Sequence, residues 1–145
     1  VLPHGTNARL ESLQAAILSA KLPKLAEWTR RRRELAARYM ELLSSLPLEL
    51  PAPEGKDFHV WHVFGVLVAN RERVQARLTE LGIQTSAHYP VPLHLQQSFA
   101  ELGHAPGDFP VAERLSGEIL SLPLYLGLDD HAQEEVAAAL AQALR

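Results

Sequence analysis

The stretch Phe58-His59-Val60-Trp61-His62-Val63-Phe64-Gly65-Val66-Leu67-Val68 decides the fold class. It is apolar at nearly every position and rich in Val, Phe and Trp, which predicts a β-strand covered on both faces. Beyond it the period becomes helical. Val74, Leu78 and Leu81 fall on one side of a short helix, with Asn70 placed to cap it and Gly82 placed to end it. Ile83 to His88 then resumes as a second strand, so strand, helix and strand follow one another within about 30 residues, as in a small α/β unit.

Upstream the pattern is helical throughout. Leu10, Leu13, Ile17 and Leu18 share one helix face, and Thr6 or Asn7 is placed to cap its first turn. Pro23 interrupts the pattern, and Leu25, Trp28, Leu35, Tyr39, Leu42 and Leu46 carry it on in steps of three and four, with Arg32 taking one place in the seam. Two helices meeting at a corner, the second long, are expected. The run Arg30 to Arg33 points round more than half of that helix and reads as a solvated surface. From Leu46 to Asp57 three prolines and a glycine mark a loop.

Downstream, His88-Tyr89-Pro90-Val91-Pro92-Leu93-His94 is neither a central strand nor a helix interior, because two prolines remove backbone donors and fix φ. It is expected to be an extended, shaped loop. Asp108 precedes a helix running through about Leu120, Leu122 to Tyr125 is a short extended piece, and Asp129 caps a closing Ala-rich helix that ends near Leu144. The expected fold is α+β in one domain over residues 1–145: long N-terminal helices packed on a small sheet of about three strands with covering helices.

The composition is that of an ordinary globular domain, with 145 residues of which 47% are hydrophobic and 21% charged. Fourteen Lys and Arg against seventeen Asp and Glu give a formal charge of -3, so no basic field favours nucleic acid or anionic lipid. With no cysteine, a disulfide framework, a thiolate zinc site and a cysteine nucleophile are excluded together. The uncharged run from His59 to Asn70 falls well short of the roughly 18 to 20 apolar residues that span a bilayer, so no membrane segment is expected. The opening Val1-Leu2-Pro3-His4 resembles no signal peptide, and a chain starting on Val reads as an excerpt of something longer.

Seven histidines invite a test for metal binding. His59 and His62, three apart on the expected strand, point to opposite faces and do not chelate together. His88 and His94 flank the proline loop, whose ends can approach, but no third ligand has a recognisable spacing and no HExxH pattern occurs. No metal is expected. No serine lies in a GxSxG elbow and no Gly-rich phosphate loop is present. Asp129/Asp130 and Glu134/Glu135 lie at the start of the last helix, where capping and the helix dipole account for them.

Several segments in order carry a resemblance. Gly5-Thr6-Asn7-Ala8-Arg9-Leu10-Glu11-Ser12-Leu13-Gln14-Ala15-Ala16-Ile17-Leu18, with Lys21-Leu22 and Trp28, is similar to the "G-x-N-x-R-L-x-x-x-Q-A-A-I-L" stretch of the sugar aminotransferases of the DegT/StrS family. His59-Val60-Trp61-His62 resembles that family's "H-V-(W/Y)-H" strand. Leu81-Gly82-Ile83-Gln84-Thr85 and His88-Tyr89-Pro90-Val91-Pro92-Leu93-His94 resemble its "L-G-I-x-T" and "H-Y-P-x-P-L-H" segments. Phe109-Pro110-Val111-Ala112-Glu113 and Leu120-Ser121-Leu122-Pro123-Leu124 resemble its ending. Tyr125-Leu126 departs from the proline common after the aromatic residue, which affects a local turn.

The resemblance implies the C-terminal small domain of a cytoplasmic, homodimeric, fold type I enzyme. Such an enzyme uses pyridoxal 5'-phosphate to move an amino group, usually from glutamate, to a nucleotide-linked keto-sugar. It also implies that the Schiff-base lysine lies upstream. Lys21, Lys24 and Lys56, the lysines present, stand in helix-corner and loop contexts unlike the family's motif. No catalytic residue is therefore expected in this chain. By the same resemblance Asn7 matches an asparagine that reaches the cofactor phosphate of the other subunit, a role its amide suits without adding charge; a helix cap is the alternative. Arg9 is expected in a salt bridge. His88, Tyr89 and His94 match a loop near the substrate entrance, where they would bind sugar hydroxyls or the diphosphate; the alternative is a rigid turn with the Tyr89 ring in the core. His59 and His62 would support the strand or the dimer seam. The first helix pair should present an apolar face to the missing domain and the partner subunit. A non-catalytic dimerisation or regulatory module of the same family is the competing reading.

Overall fold

Seven regular elements organise the described residues of the computed structural model, 9–52 and 59–145. In chain order they are α1 (Ser12–Lys21), α2 (Leu25–Leu43), β1 (Phe64–Leu67), α3 (Arg71–Glu80), α4 (Pro110–Glu118), β2 (Ile119–Leu122) and α5 (Asp130–Ala143). Pro23 divides α1 from α2 as expected, within a single 3-10 turn over Leu22–Lys24. The cap of α1 differs from expectation. The helix begins at Ser12 with Glu11 at the N-cap position, and the backbone N–H of Glu11 donates to Gln14 Oε1 at 3.4 Å, whereas the sequence places the cap at Thr6 or Asn7. Both of those residues lie outside the described range.

The two strands pair antiparallel, Phe64 opposite Leu122 and Val66 opposite Leu120. Because side chains alternate along a strand, these four share one face, and all four are buried. Onto that face pack Leu35, Ala36, Tyr39 and Leu43 of α2, Val74 and Leu78 of α3, and Val136, Ala137 and Leu140 of α5. The Tyr39 ring lies 5.1 Å from Phe64, and its hydroxyl donates to Pro123 O at 2.9 Å. Burial, reinforced by Tyr125, lifts that phenol far above its ordinary pKa, so it stays a neutral donor. Gln133, fully buried on α5, donates to Leu35 O at 2.9 Å and ties α5 to α2 through the core. At the rim Arg38 of α2 reaches Glu134 of α5 at 2.6 Å.

Several expectations about strands need correction. The strand placed at Phe58 to Val68 is only Phe64–Leu67, because Trp61 sits in the left-handed region at φ 51° and its backbone N donates to His59 Nδ1 at 3.0 Å, a local turn that keeps the chain from extending earlier. Its burial also alternates, so one face is fully covered and the other partly. The second strand, expected over Ile83 to His88, contracts to one bridge, Ser86 to Ser121, on the free edge of β2. Glu49 makes a matching bridge to Leu67 on the outer edge of β1. The sheet thus has two strands flanked by single pairs rather than about three strands. Ile119–Leu122 is the extended piece, with α4 ending at Glu118 rather than near Leu120.

Helix boundaries elsewhere follow the sequence. Asp129 accepts from Ala132 N at 2.8 Å and caps α5. Gly82, at φ 81°, ends the turn after α3. Asn70 does precede α3, but its side chain makes no cap bond; it supplies a left-handed backbone at φ 52°, which asparagine tolerates better than most residues. None of the helices among the described residues is long and apolar enough to cross a membrane.

Candidate functional site

Two features stand outside the core: a face on the first helices and a cleft beside α4. In α1 no residue is buried. Leu10, Leu13, Ile17 and Leu18, with Leu22 and Leu25, are all exposed, Leu13 by 74%. Such an apolar surface is far more continuous than scattered exposed residues on a monomer. Within it an open groove of about 470 Å³ is lined by Leu18, Leu22, Leu25, Trp28 and Arg32. The Nη1 of Arg32 is buried there without a hydrogen-bond partner. The neighbouring arginines spend their charge on the chain itself: Arg30 on Glu34 at 3.1 Å, Arg31 on Leu128 O at 2.9 Å, and Arg33 on His59 O at 3.1 Å. The apolar face expected on the first helix pair is present and exposed.

The cleft, about 510 Å³, has two walls. Tyr89, Val91, Leu93 and His94 form one, and Phe109, Ala112, Leu115 and Ser116 form the other. Its first wall is the proline loop, irregular except for a 3-10 turn over Leu93–Leu95, as two prolines dictate. Tyr89 is 72% exposed at the mouth, so its ring is not in the core. His94 is the reverse case, with a side chain only 8% exposed. Its ring packs on Phe109 at 4.7 Å, and its Nε2 meets Glu113 Oε1 at 3.0 Å. A carboxylate only accepts, so Nε2 carries the hydrogen.

His88 lies apart from this cleft. Its Nδ1 is 2.9 Å from Ser121 Oγ, on the face of the sheet opposite the core, and it borders a small polar cavity of about 130 Å³ with His62, Thr85 and Ser86. Gly65, opposite Ser121, keeps that face low; a Cβ there would come within 3.2 Å of Ile119 Cδ1. The structure therefore brings Tyr89 and His94 to one cleft and leaves His88 in a neighbouring one. Asn7 lies outside the described residues, and Arg9 is exposed. His59 and His62 precede β1 rather than sit on it, so the opposite-face argument does not apply to them; the His59 ring packs on Trp61 at 4.2 Å. Among the described residues no three His, Asp or Glu side chains gather as a metal site.

Sequence reasoning missed Glu113 as a functional residue. Besides His94, it accepts from Gly107 N at 2.8 and 3.0 Å and from Phe109 N at 3.2 Å. These donors, the Gly107 amide foremost, hold its carboxyl below the usual range. Asp108 is likewise held low, first by Ala105 N at 3.0 Å and then by His104 at 3.3 Å. The signal available in the sequence was an acidic residue in the first turn of a Pro-led helix, next to a Gly-containing turn rich in free amides.

The described residues do not by themselves fit a pyridoxal phosphate site. Lys21 and Lys24 are exposed at the junction of α1 and α2, not enclosed in a pocket as a Schiff-base lysine is.

Comparison with known proteins places this geometry. Residues 2–141 match the model of the DegT/DnrJ/EryC1/StrS aminotransferase family. The chain is 46% identical over 137 residues to the erythromycin biosynthesis sensory transduction protein EryC1 of Saccharopolyspora erythraea, covering 94% of this chain and 37% of that protein. It is 41% identical to the dTDP-3-amino-3,6-dideoxy-alpha-D-galactopyranose transaminase of Aneurinibacillus thermoaerophilus, again over 94% of this chain and 37% of the relative. Among solved structures, S. venezuelae DesV in complex with a ketimine intermediate superposes with a TM-score of 0.90 at 37% identity, covering 99% of this chain and 39% of that one. The chain thus spans somewhat over a third of the length of the relatives it matches.

Proposed function

Because the chain belongs to the DegT/DnrJ/EryC1/StrS aminotransferase family, we propose that it is the C-terminal small domain of a pyridoxal-phosphate-dependent aminotransferase that moves an amino group from glutamate to a nucleotide-linked keto-sugar. The observation that carries the reading is the likeness to DesV over 99% of the chain, together with a surface on α1 that no described residue covers. The relative from Aneurinibacillus is by name a transaminase of a dTDP-linked sugar, which supports the substrate class.

In this reading the cofactor supplies the electron sink for the amino-group transfer and is held by the rest of the longer protein. The chain's own part is to bind and enclose. Asn7 donates its amide to the cofactor phosphate across a homodimer. Tyr89 offers an exposed phenol at the cleft mouth, and His94, held by its carboxylate, presents a fixed ring in the wall behind it. His88, bonded to Ser121, meets the substrate from the adjoining polar cavity. The apolar face of α1 and α2 packs on the larger domain and on the partner subunit, and the enzyme works in the cytoplasm.

The test is an absorbance spectrum of the longer polypeptide purified without added cofactor, followed by titration with glutamate. A visible band that bleaches with glutamate supports the reading. A colourless protein that stays colourless with added pyridoxal phosphate overturns it. That outcome favours the second reading, a non-catalytic dimerisation or regulatory module, to which the name of the 46% identical relative lends weight.

A further inference from the structure

One carboxylate, Glu113, bridges the two walls of the cleft beside α4. The first wall is pinned to β2 at the start, where His88 meets Ser121. Past that point the wall's own hydrogen bonds are local: Leu95 N to Pro92 O, Gln96 N to Leu93 O, and Gln96 Nε2 to Val91 O. Among the described residues, the polar tie that next crosses to the opposite wall is His94 Nε2 to Glu113 Oε1 at 3.0 Å. The same carboxylate collects the Gly107 and Phe109 amides, so the turn that delivers Phe109 to the cleft hangs on it too. Phe109 then packs between the rings of His94, tilted at 4.7 Å, and His104, edge-on at 5.0 Å. The His94 ring, nineteen positions upstream, and the Gly107–Phe109 turn just before α4 thus converge on a group that is ionised and only 24% exposed. Charge-assisted bonds of this kind outlast neutral ones.

We propose that Glu113 is the positioning residue of the cleft. It fixes the distance between the Tyr89–His94 wall and α4, and with it the width offered to the acceptor sugar. The second half of that statement rests on the substrate reading given above; the first half stands on the geometry alone.

The experiment compares E113A, E113Q and H94A with the unaltered protein in the longer polypeptide. Amide exchange at Leu95 and Gln96 reports the wall, and amides of α2 and α5 serve as the control for folding. In E113A the two wall amides should exchange roughly tenfold faster, the loss expected for charge-assisted bonds, while the control amides stay protected. E113Q keeps one accepting oxygen and should fall between. H94A should match E113A, and the double variant should add little, as two halves of one contact do. For activity, E113A and E113Q should raise KM for the keto-sugar while kcat holds. Unchanged exchange at Leu95 and Gln96 in E113A overturns the positioning role. Faster exchange with an unchanged KM supports the positioning role and overturns the cleft as the acceptor wall.

Discussion

Helices α5 and α1 are both apolar on one side, yet they meet opposite fates. The fourteen residues of α5 bury Gln133, Val136, Ala137, Leu140 and Ala143 against α2 and α3. The ten residues of α1 carry four large apolar side chains, counting Leu10 just before it, and bury none. Apolar periodicity in a sequence says which face of a helix seeks cover; it does not say whose surface provides it. In α5 the cover is in the same chain. In α1 no cover is found among the described residues, and the Nη1 of Arg32 beneath the groove is buried without a hydrogen-bond partner.

The largest expected effect sharpens that contrast. Leu140→Ala opens a cavity among fully buried neighbours and should cost about 2–5 kcal/mol in denaturant unfolding. Leu13→Ala, on a side chain 74% exposed, should stay within about 0.5 kcal/mol in the same assay. If Leu13→Ala proves as damaging as Leu140→Ala, α1 is packed within this chain and the contrast fails.

Next in size come single polar ties. Tyr39→Phe removes the donor to Pro123 O and should cost about 1 kcal/mol, measured as a shift of the urea midpoint at constant slope. Asp129→Ala should cost about 1 kcal/mol as well, through loss of the α5 cap. An equal loss on replacing Asn70, whose side chain caps nothing, would contradict the distinction drawn between the two helix starts.

A smaller effect separates the cleft from the core by pH. Glu113 and Asp108 titrate lower in the folded protein than unfolded carboxyls, which lie near about 4.3 and 3.9. Their contribution is therefore complete above those values and is lost as pH falls through the depressed folded ones. On acid titration below about pH 4, the Leu95 and Gln96 amides should lose protection before those of α2 and α5. Simultaneous loss would show that cleft and core open as one unit.

Much of this was legible in the sequence because it is local. The steps of three and four through Leu35 and Tyr39 gave α2, Pro23 gave its separation from α1, and Asp129 and Gly82 marked ends where their chemistry requires. What escaped depended on distant or backbone events. The left-handed turn at Trp61 shortened β1, although its residues have high strand propensity. The edge beyond β2 kept one bridge at Ser86, where the chain leaves the sheet for the proline loop. His94 could be singled out by resemblance, but its carboxylate lies nineteen positions further on, across a turn whose geometry no local pattern specifies. Likewise nothing in the spacing of His88 and His94 reveals that one faces Ser121 and the other Glu113.

In the proposed reading, α1 and the start of α2 form a contact face for the remainder of a longer polypeptide. That reading is tested most directly by the fluorescence of a hydrophobic dye over a dilution series, on the 145-residue chain and on the longer polypeptide at equal concentration. A bright, saturable signal is expected for the chain alone at dilutions where it is monomeric, and a dark longer polypeptide, where the exposed Leu10 to Leu25 surface would be covered. A dye-silent monomeric chain, or two proteins equally bright, would contradict that reading.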